Sequence, residues 1–316
     1  MIHIAKPLVW AFSLVFMSVT LTLAADRINL CVTNLTAFEW DLLVAQDQGF
    51  FTKQDLDVRI TYMASNLVIN ALIAGQTQIA KSGSHFGILA AVRKADIKIF
   101  AGGLYGYPYD TISQPEFNSL ADLKGQKIVT GSQGSIVTVV FKDVMRGKGV
   151  TPADYLLLVV PGSNTRFLAL KSGQVAAAVA VAPPLNFSAI DGGMKALFHY
   201  NDYLKELQYI SYFTTPRYAA SNRMLISRFT RAVAQSQNWL NDGRNEREAT
   251  RILTRHLKID DTLAVRTYRY MLIDGKAYRG EAKVDGPGLA EMIRMLAEAN
   301  VIPQKEPWQS FVLESY

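Results

Sequence analysis

The sequence predicts an α/β protein built as two similar lobes with a cleft between them, and three observations carry that expectation. A ten-residue pattern occurs twice, as Ala71-Leu72-Ile73-Ala74-Gly75-Gln76-Thr77-Gln78-Ile79-Ala80 and as Ala169-Leu170-Lys171-Ser172-Gly173-Gln174-Val175-Ala176-Ala177-Ala178. Each copy reads as the last turn of a helix, a glycine stop and a short apolar strand, because glycine takes the left-handed conformation past a helix at little cost. The flanks of both copies repeat one order: strand, loop, helix, glycine, strand, helix, Gly-Gln, strand, loop. Strands alternating with helices call for mostly parallel sheets covered on both faces.

The first half supplies strands near 28–33, 57–62, 78–81 and 97–101, with helices between them over about 40–48, 66–74 and 86–94. The second half restarts at Lys127, with strands near 128–130, 155–160 and 175–181 and helices over about 135–146 and 164–172. Residues 209–214 return as a further strand. From Ser221 onward amphipathic helices follow over about 222–240, 246–256, 262–272 and 287–299, and Pro287 suits a helix start because its missing N–H is not needed there. The expected division is 26–108 with 209–316 as the first lobe and 109–208 as the second.

Composition excludes several classes. With 49% hydrophobic and 19% charged residues, the 316-residue chain is that of an ordinary globule. The net charge of +6 is dispersed rather than clustered, which argues against a nucleic-acid partner. Lys6, the uncharged stretch 7–23 and the small pair Ala24-Ala25 form a secretory signal, 1–25, so export to the periplasm is expected. Cys31 is the one cysteine, so neither a disulfide within the chain nor a cysteine-based metal cage is available, and an apolar run around it reads as core. His3, His85, His199 and His256 show no metal-ligand spacing, and no nucleophile or carboxylate motif appears. No catalytic residue, metal or cofactor is expected, and the chain reads as a non-enzyme.

Ligands of open parallel sheets bind beyond the carboxyl ends of strands, beside helix N-termini. Four loops meet that condition: 34–40, 82–86, 131–135 and 182–187. In the third, Gly131, Ser132, Gln133, Gly134 and Ser135 combine backbone access, hydroxyl donors and a helix start, which suits an anion. The same residues also serve as an ordinary capped helix start. In the first, Phe38 and Trp40 offer aromatic faces and Glu39 an acceptor for an amine or ring N–H; Trp40 as core and Glu39 as a helix-start charge fit equally. Ser84 and His85 in the second loop and Pro183 and Asn186 in the fourth complete the cleft candidates. Tyr105, Tyr107 and Tyr109 mark the first passage between lobes, as hinge or pocket wall. At the return passage, Thr215 and Arg217 offer a hydroxyl and a cation, Arg217 being equally a surface ion-pair residue.

With these residues in view, the chain resembles the periplasmic substrate-binding proteins of ABC importers, and most of all the nitrate/sulfonate/taurine-type and thiamine-pyrimidine-precursor (NMT1/THI5-like) group. The matching stretches are 45–58, both Ala-Leu-x-x-Gly-Gln copies, 120–128 and the helical tail around 234–240. The resemblance implies a type II periplasmic-binding-protein fold, a monomer that closes on a small organic, anionic solute and hands it to an ABC permease of the inner membrane. The alternatives on the same fold are a pyrimidine-precursor binder or enzyme and a ligand-sensing receptor domain. The synthase relatives carry a cysteine-rich motif, which one cysteine cannot supply.

Overall fold

The computed structural model describes residues 25–33 and 35–313; the expected signal segment lies outside the described residues except for Ala25. Two five-stranded sheets organise the chain. The first half runs β1 (Asp26–Val32), α1 (Trp40–Asp47), β2 (Leu56–Tyr62), α2 (Ser65–Ile73), β3 (Ile79–Gly83), α3 (Ser84–Val92) and β4 (Lys98–Gly102). The second runs β5 (Asp110–Ser113), β6 (Lys127–Thr130), α4 (Ile136–Gly147), β7 (Leu156–Val159), α5 (Ser163–Lys171), β8 (Ala177–Val181), α6 (Leu185–Asp191), β9 (Lys195–His199) and α7 (Tyr200–Leu204). The chain then returns as β10 (Ile210–Thr214) and continues through α8 (Pro216–Ser221), α9 (Arg223–Asn241), α10 (Glu246–Leu257), α11 (Asp261–Tyr268) and α12 (Gly286–Glu298).

Strand order is β2-β1-β3-β10-β4 in one sheet and β7-β6-β8-β5-β9 in the other. Both sheets are mixed. Four strands of each point one way, and a fifth opposes them: β10 runs antiparallel to β3 and β4, and β5 antiparallel to β8 and β9. These opposing strands are the ones the chain enters on passing from one sheet to the other. The register sets their ends. Ile210 pairs with Gly83 and Asp110 with Val181, so each passage strand begins at the cleft and runs away from it.

The repeated decapeptide closes α2 and α5 in the same way. Gly75 (φ +70°) and Gly173 (φ +73°) are left-handed. Gln76 N donates to Ala71 O (2.9 Å) and Gly75 N to Leu72 O (3.0 Å), as Gln174 N does to Ala169 O (3.2 Å) and Gly173 N to Leu170 O (3.0 Å). Both sites form a Schellman cap, which requires a residue without a Cβ penalty at that position. Each cap delivers a fully buried strand, β3 or β8, pointing at the cleft.

Helices cover both faces of each sheet. One face of the first sheet packs Ile28, Leu30 and Val32 against Leu42 of α1 and Phe229 and Val233 of α9. The other packs Cys31, Ala80 and Phe213 against Val68 and Leu72 of α2, so the single thiol is buried core. A larger apolar cluster runs from α10–α12 through Phe38, Tyr107 and Tyr109 into Ile136, Val140 and Phe141 of the second unit, joining the two lobes. The expected third tail helix, 262–272, is shorter: α11 stops at Tyr268 and the chain continues as a π-helix over Arg269–Asp274.

One buried cation fixes the edge of the cleft in the first lobe. Lys81 of β3, wholly buried, places Nζ 2.6 Å from Asp41 Oδ1, 2.8 Å from Glu39 Oε2 and 2.6 Å from the Phe38 carbonyl. Thr33 donates to Glu39 Oε1 (3.1 Å), and Tyr212 donates to Asp41 Oδ2 (2.7 Å). Burial raises the Glu39 pKa, with Lys81 opposing. Burial alone would lower that of Lys81, yet the two carboxylates raise it. Removing the cation would leave two carboxylates without compensation in a dry interior, the costly way to break a buried ion pair. Lys81→Met is expected to lower stability by about 3–5 kcal/mol in urea unfolding. Adding Glu39→Gln and Asp41→Asn to that variant should recover most of the loss. A loss under 1 kcal/mol for Lys81→Met alone would refute the account.

Candidate functional site

A cavity of about 240 Å³ lies between the two sheets, where the strand ends of both lobes meet. The first lobe lines it with Thr33, Thr36, Phe38, His85, Phe86 and Tyr209. Tyr109 stands at the passage between the lobes. The second lobe contributes Gly131, Ser132, Ser135 and Val137 around the start of α4, 161–163 and Arg166 around the start of α5, and Val159, Ala180 and Ala182 beside the ends of β7 and β8. The starts of α3, α4 and α5 therefore all border the cavity, and unpaired N–H groups at helix starts make it electropositive.

Arg166 gives the site its charge. It lies one turn into α5 and is 5% exposed. Its Nε donates to Val179 O (3.0 Å), Nη1 to Val160 O (3.2 Å) and Nη2 to Ala180 O (2.8 Å). Successive carbonyls of a regular strand point to opposite sides, so two neighbours reaching one guanidinium need a break in the pleat. The break is present. Ala180 has φ +58°, and β8 carries one more residue than β5 between the Asp110–Val181 and Ile112–Ala178 pairs, a β-bulge. Gly131 completes the cradle: a Cβ there would stand 2.9 Å from Arg166 Nη1.

Three carbonyl bonds use three of the five guanidinium N–H groups, leaving two. No acid lines the cavity among the described residues. Burial lowers the Arg166 pKa, with the oxygens of Tyr109, Tyr209 and Tyr200 opposing. A guanidinium does not lose its proton in a protein, so this pull is a standing cost of an uncompensated buried charge.

Aromatic rings form the opposite wall. Tyr109 and Tyr209 precede the two passage strands, and their hydroxyls are 2.6 Å apart. Phe38 meets both edge-on, at centroid distances of 4.9 and 5.8 Å. His85 is 2% exposed, lies 4.1 Å from the Phe86 ring and is stacked with Tyr209 at 6.4 Å. Neither of its ring nitrogens has a hydrogen-bond partner. Burial pushes its pKa down to about 3, so the imidazole is neutral at ordinary pH.

The structure brings Phe38, His85, Tyr109, Gly131, Ser132 and Ser135 of the sequence candidates to the cavity wall and distributes the others elsewhere. Glu39 is consumed by Lys81. Trp40 is core: it is fully buried, its Nε1 donates to Ala249 O (3.1 Å), and its ring meets Tyr268. Ser84 bonds Gln208 O (2.7 Å) and Ser211 Oγ (2.6 Å), tying α3 to β10. Gln133 accepts from Lys142 (2.8 Å), and Gly134 faces Val301 of the tail. Asn186 donates to Asp110 (2.6 Å), and Pro183 is not on the wall, where Ala182 takes its place. Thr215 caps α8 by accepting from Tyr218 N, and Arg217 is exposed. Both follow the far end of β10, which an antiparallel strand carries away from the cleft. Ser135 has a local task as well, since its Oγ caps α4 and donates to Ser132 O (3.0 Å).

Sequence reasoning missed Arg166 and Tyr209. The turn 161–164 after β7 is a fifth strand-end loop of the same kind as the four considered, and one helical turn past it stands Arg166. The sequence places Tyr209 as the first residue of the returning strand, whereas it stands one residue before β10.

The family model described as "NMT1/THI5 like" matches residues 40–243. The chain belongs to that family. No curated protein matches it in sequence. Among solved structures it is similar to the alkanesulfonate-binding protein SsuA of Xanthomonas axonopodis pv. citri bound to MOPS, at 15% identity and a TM-score of 0.75, over 91% of this chain and 98% of that one. The periplasmic aliphatic sulphonate binding protein SsuA of Escherichia coli aligns at 15% identity and TM-score 0.70, covering 91% and 97%. The periplasmic nitrate-binding protein NrtA of Synechocystis PCC 6803 aligns at 14% and 0.70, covering 90% and 83%. These likenesses establish a periplasmic-binding-protein fold for this NMT1/THI5-like chain. Among the described residues no helix is long and apolar enough to cross a membrane, and no group of side chains is placed to hold a metal.

The neutral His85 makes one pH prediction. Its folded pKa of about 3 lies below the ordinary value of 6.5, so the unfolded chain binds the extra proton between those values and acid favours unfolding. Stability from this group is complete above pH 6.5 and falls as pH drops toward 3. At pH 5 the loss is about 2 kcal/mol. Urea titrations of wild type and His85→Phe, without ligand, should therefore diverge in slope below pH 6.5, the variant falling less. Parallel curves from pH 7 to pH 4 would refute the buried neutral imidazole.

Proposed function

We propose that this protein is the extracytoplasmic solute-binding component of an ABC import system, capturing a small organic anion between its lobes and passing it to a membrane permease. One observation carries the reading: Arg166 is buried at an interlobe cavity, held by carbonyls, and faces no acid across it. A site that maintains an uncompensated cation against desolvation favours a ligand bearing the missing charge. The helix starts around the cavity act in the same direction, and Ser132 and Ser163 add hydroxyls. Volume limits size: about 240 Å³ lies below the ~300–1,000 Å³ of pockets for drug-sized ligands.

The same reading takes 26–108 with 209–316 as one lobe, 109–208 as the other, and 1–25 as an export signal removed before the protein works as a monomer in the periplasm. Lobe closure as the capture step fits the division of the walls, with the cation on one lobe and the aromatic face on the other. The solved neighbours named for binding alkanesulfonates and nitrate are anion binders, which agrees. Nothing in the site argues for chemistry on the ligand: His85 is neutral, and no nucleophile pairs with a base among the cavity residues.

Thermal-shift and calorimetric screening of residues 26–316 against alkanesulfonates, carboxylates and nitrate tests this. At a hundredfold excess over Kd a ligand adds about 2.7 kcal/mol to stability, an easily read shift. Arg166→Gln should weaken the best anion by 2–5 kcal/mol, about 30-fold or more. Arg166→Lys, which keeps charge but loses the fork, should fall between the two. Because Arg166 also ties three carbonyls, Ser132→Ala serves as a milder probe, expected to cost about fivefold in affinity with stability unchanged. Binding of neutral or cationic solutes in preference to every anion would defeat the proposal.

A further inference from the structure

Two buried polar groups of the cavity wall, Arg166 and His85, belong to opposite lobes and differ in kind. Arg166, on the second lobe, is a full charge with two N–H groups to spare. His85, on the first, is a neutral ring with both nitrogens unpaired, although it is 2% exposed. Leaving buried polar atoms unpaired carries a desolvation cost, so each such atom in a native protein calls for an explanation. No protein group fixes the tautomer, so either nitrogen can present a donor or an acceptor. The rest of the wall is uncharged: Phe38, Phe86, Val137 and Val159 are apolar, and Thr33, Thr36, Ser132, Ser135, Ser163 and the two tyrosines carry hydroxyls.

Charge counting narrows the ligand further. A second anionic group would find no second cation, since Arg166 is the one charged residue on the wall among those described. An ammonium would find no carboxylate, because Glu39 and Asp41 are both bonded to Lys81 and lie off the cavity wall. We infer that the ligand is a monoanion with a neutral hydrogen-bonding group at its far end, and that His85 is the residue that selects that group. Dianions, zwitterions and acids ending in bare hydrocarbon are discriminated against. This inference rests on the anion-binding reading above and adds to it the identity of the opposite end.

Two matched series of acids test it, each varying the far end alone. On a benzoate ring the members are 4-carbamoylbenzoate, 4-methylbenzoate, terephthalate and 4-(aminomethyl)benzoate. On a four-carbon chain they are succinamate, butanoate, succinate and 4-aminobutanoate. Calorimetry of the wild-type protein should rank the carbamoyl member first in whichever series fits, at least tenfold ahead of the methyl, dianionic and zwitterionic members. His85→Phe keeps the ring contacts with Phe86 and Tyr209 and should abolish the carbamoyl advantage over methyl while leaving the methyl member's affinity within threefold. Equal binding of carbamoyl and methyl members by the wild type, or an unchanged ratio in His85→Phe, would overturn the selecting role while leaving the anion site intact. Should no member of either series bind, and the broader anion screen also fail, both readings fall together. A screen that yields a different monoanion is decided by His85→Phe on that ligand: loss of at least tenfold supports the role, and unchanged affinity refutes it. His85→Asn, a neutral donor and acceptor of smaller size, should retain part of the preference, which a merely structural histidine would not predict.

Discussion

Everything at the cleft depends on how the chain passes between the sheets. Each passage inserts its strand antiparallel to the strand beside it, β5 next to β8 and β10 next to β3. An inserted strand of that direction has its amino end where its neighbours have their carboxyl ends. The residue just before it is therefore delivered to the cleft floor. Tyr109 and Tyr209 occupy those equivalent positions, and their hydroxyls meet at 2.6 Å. The backbone holds each in place, for Ser84 N donates to Tyr209 O (2.7 Å) and Tyr200 N to Tyr109 O (3.0 Å). The parallel strands bring helix starts to the same place from either side, so one topological rule supplies both the aromatic floor and the electropositive rim.

The two lobes solve the burial of charge in opposite ways. In the first, Lys81 meets two carboxylates and a carbonyl, a compact cluster that anchors the Phe38 loop and is closed to ligand. In the second, Arg166 meets carbonyls alone, and a bulge in β8 is needed to aim two of them at it. Carbonyl dipoles orient the guanidinium without cancelling its charge. The helix starts nearby add to the positive potential rather than relieving it. The first arrangement is complete in itself; the second, on the proposed reading, is completed by an anion.

Much of the architecture was legible because it rests on local chemistry. The two Ala-Leu-x-x-Gly-Gln segments encode the same cap, and each cap leads a strand to the cleft. Phe38, His85, Ser132 and Ser135 stand in strand-end loops that the alternation of strands and helices marks out, and they reach the cavity wall. What sequence could not supply was direction. Residues 210–214 look the same as a parallel or an antiparallel strand, since side chains alternate with period two in both. Reading the strand as parallel sends Thr215 and Arg217 to the cleft, whereas its true direction sends Tyr209 there. Trp40 and Glu39 failed for a different reason. Their loop does border the cavity, but Trp40 and Glu39 both turn into the core, where they are claimed by Ala249 and Lys81 from 209 and 42 positions along the chain, partners no local pattern announces.

On the proposed reading closure needs an energy source; outside the cavity the lobes meet through the shared apolar cluster and through a polar contact beside it. Arg266 pairs with Asp191 at 2.7 Å and lies over the Phe187 ring at 4.4 Å, while Tyr270, from the π-helical turn, meets Phe187 edge-on at 5.4 Å. Both partners of that ion pair are exposed, and such pairs contribute about 0–1 kcal/mol. Set against this are two buried cavity groups that the protein itself leaves uncompensated, a guanidinium with no acid on the cavity wall and an imidazole with no hydrogen-bond partner among the described residues. A ligand that spans from Arg166 to His85 removes both penalties at once and does so only when the lobes are together. Its differential affinity for the closed form is therefore built into the two unpaired groups, and a conformational equilibrium shifts by that difference and no more. An anion that engages Arg166 alone relieves half of the strain and should bind without holding the lobes shut.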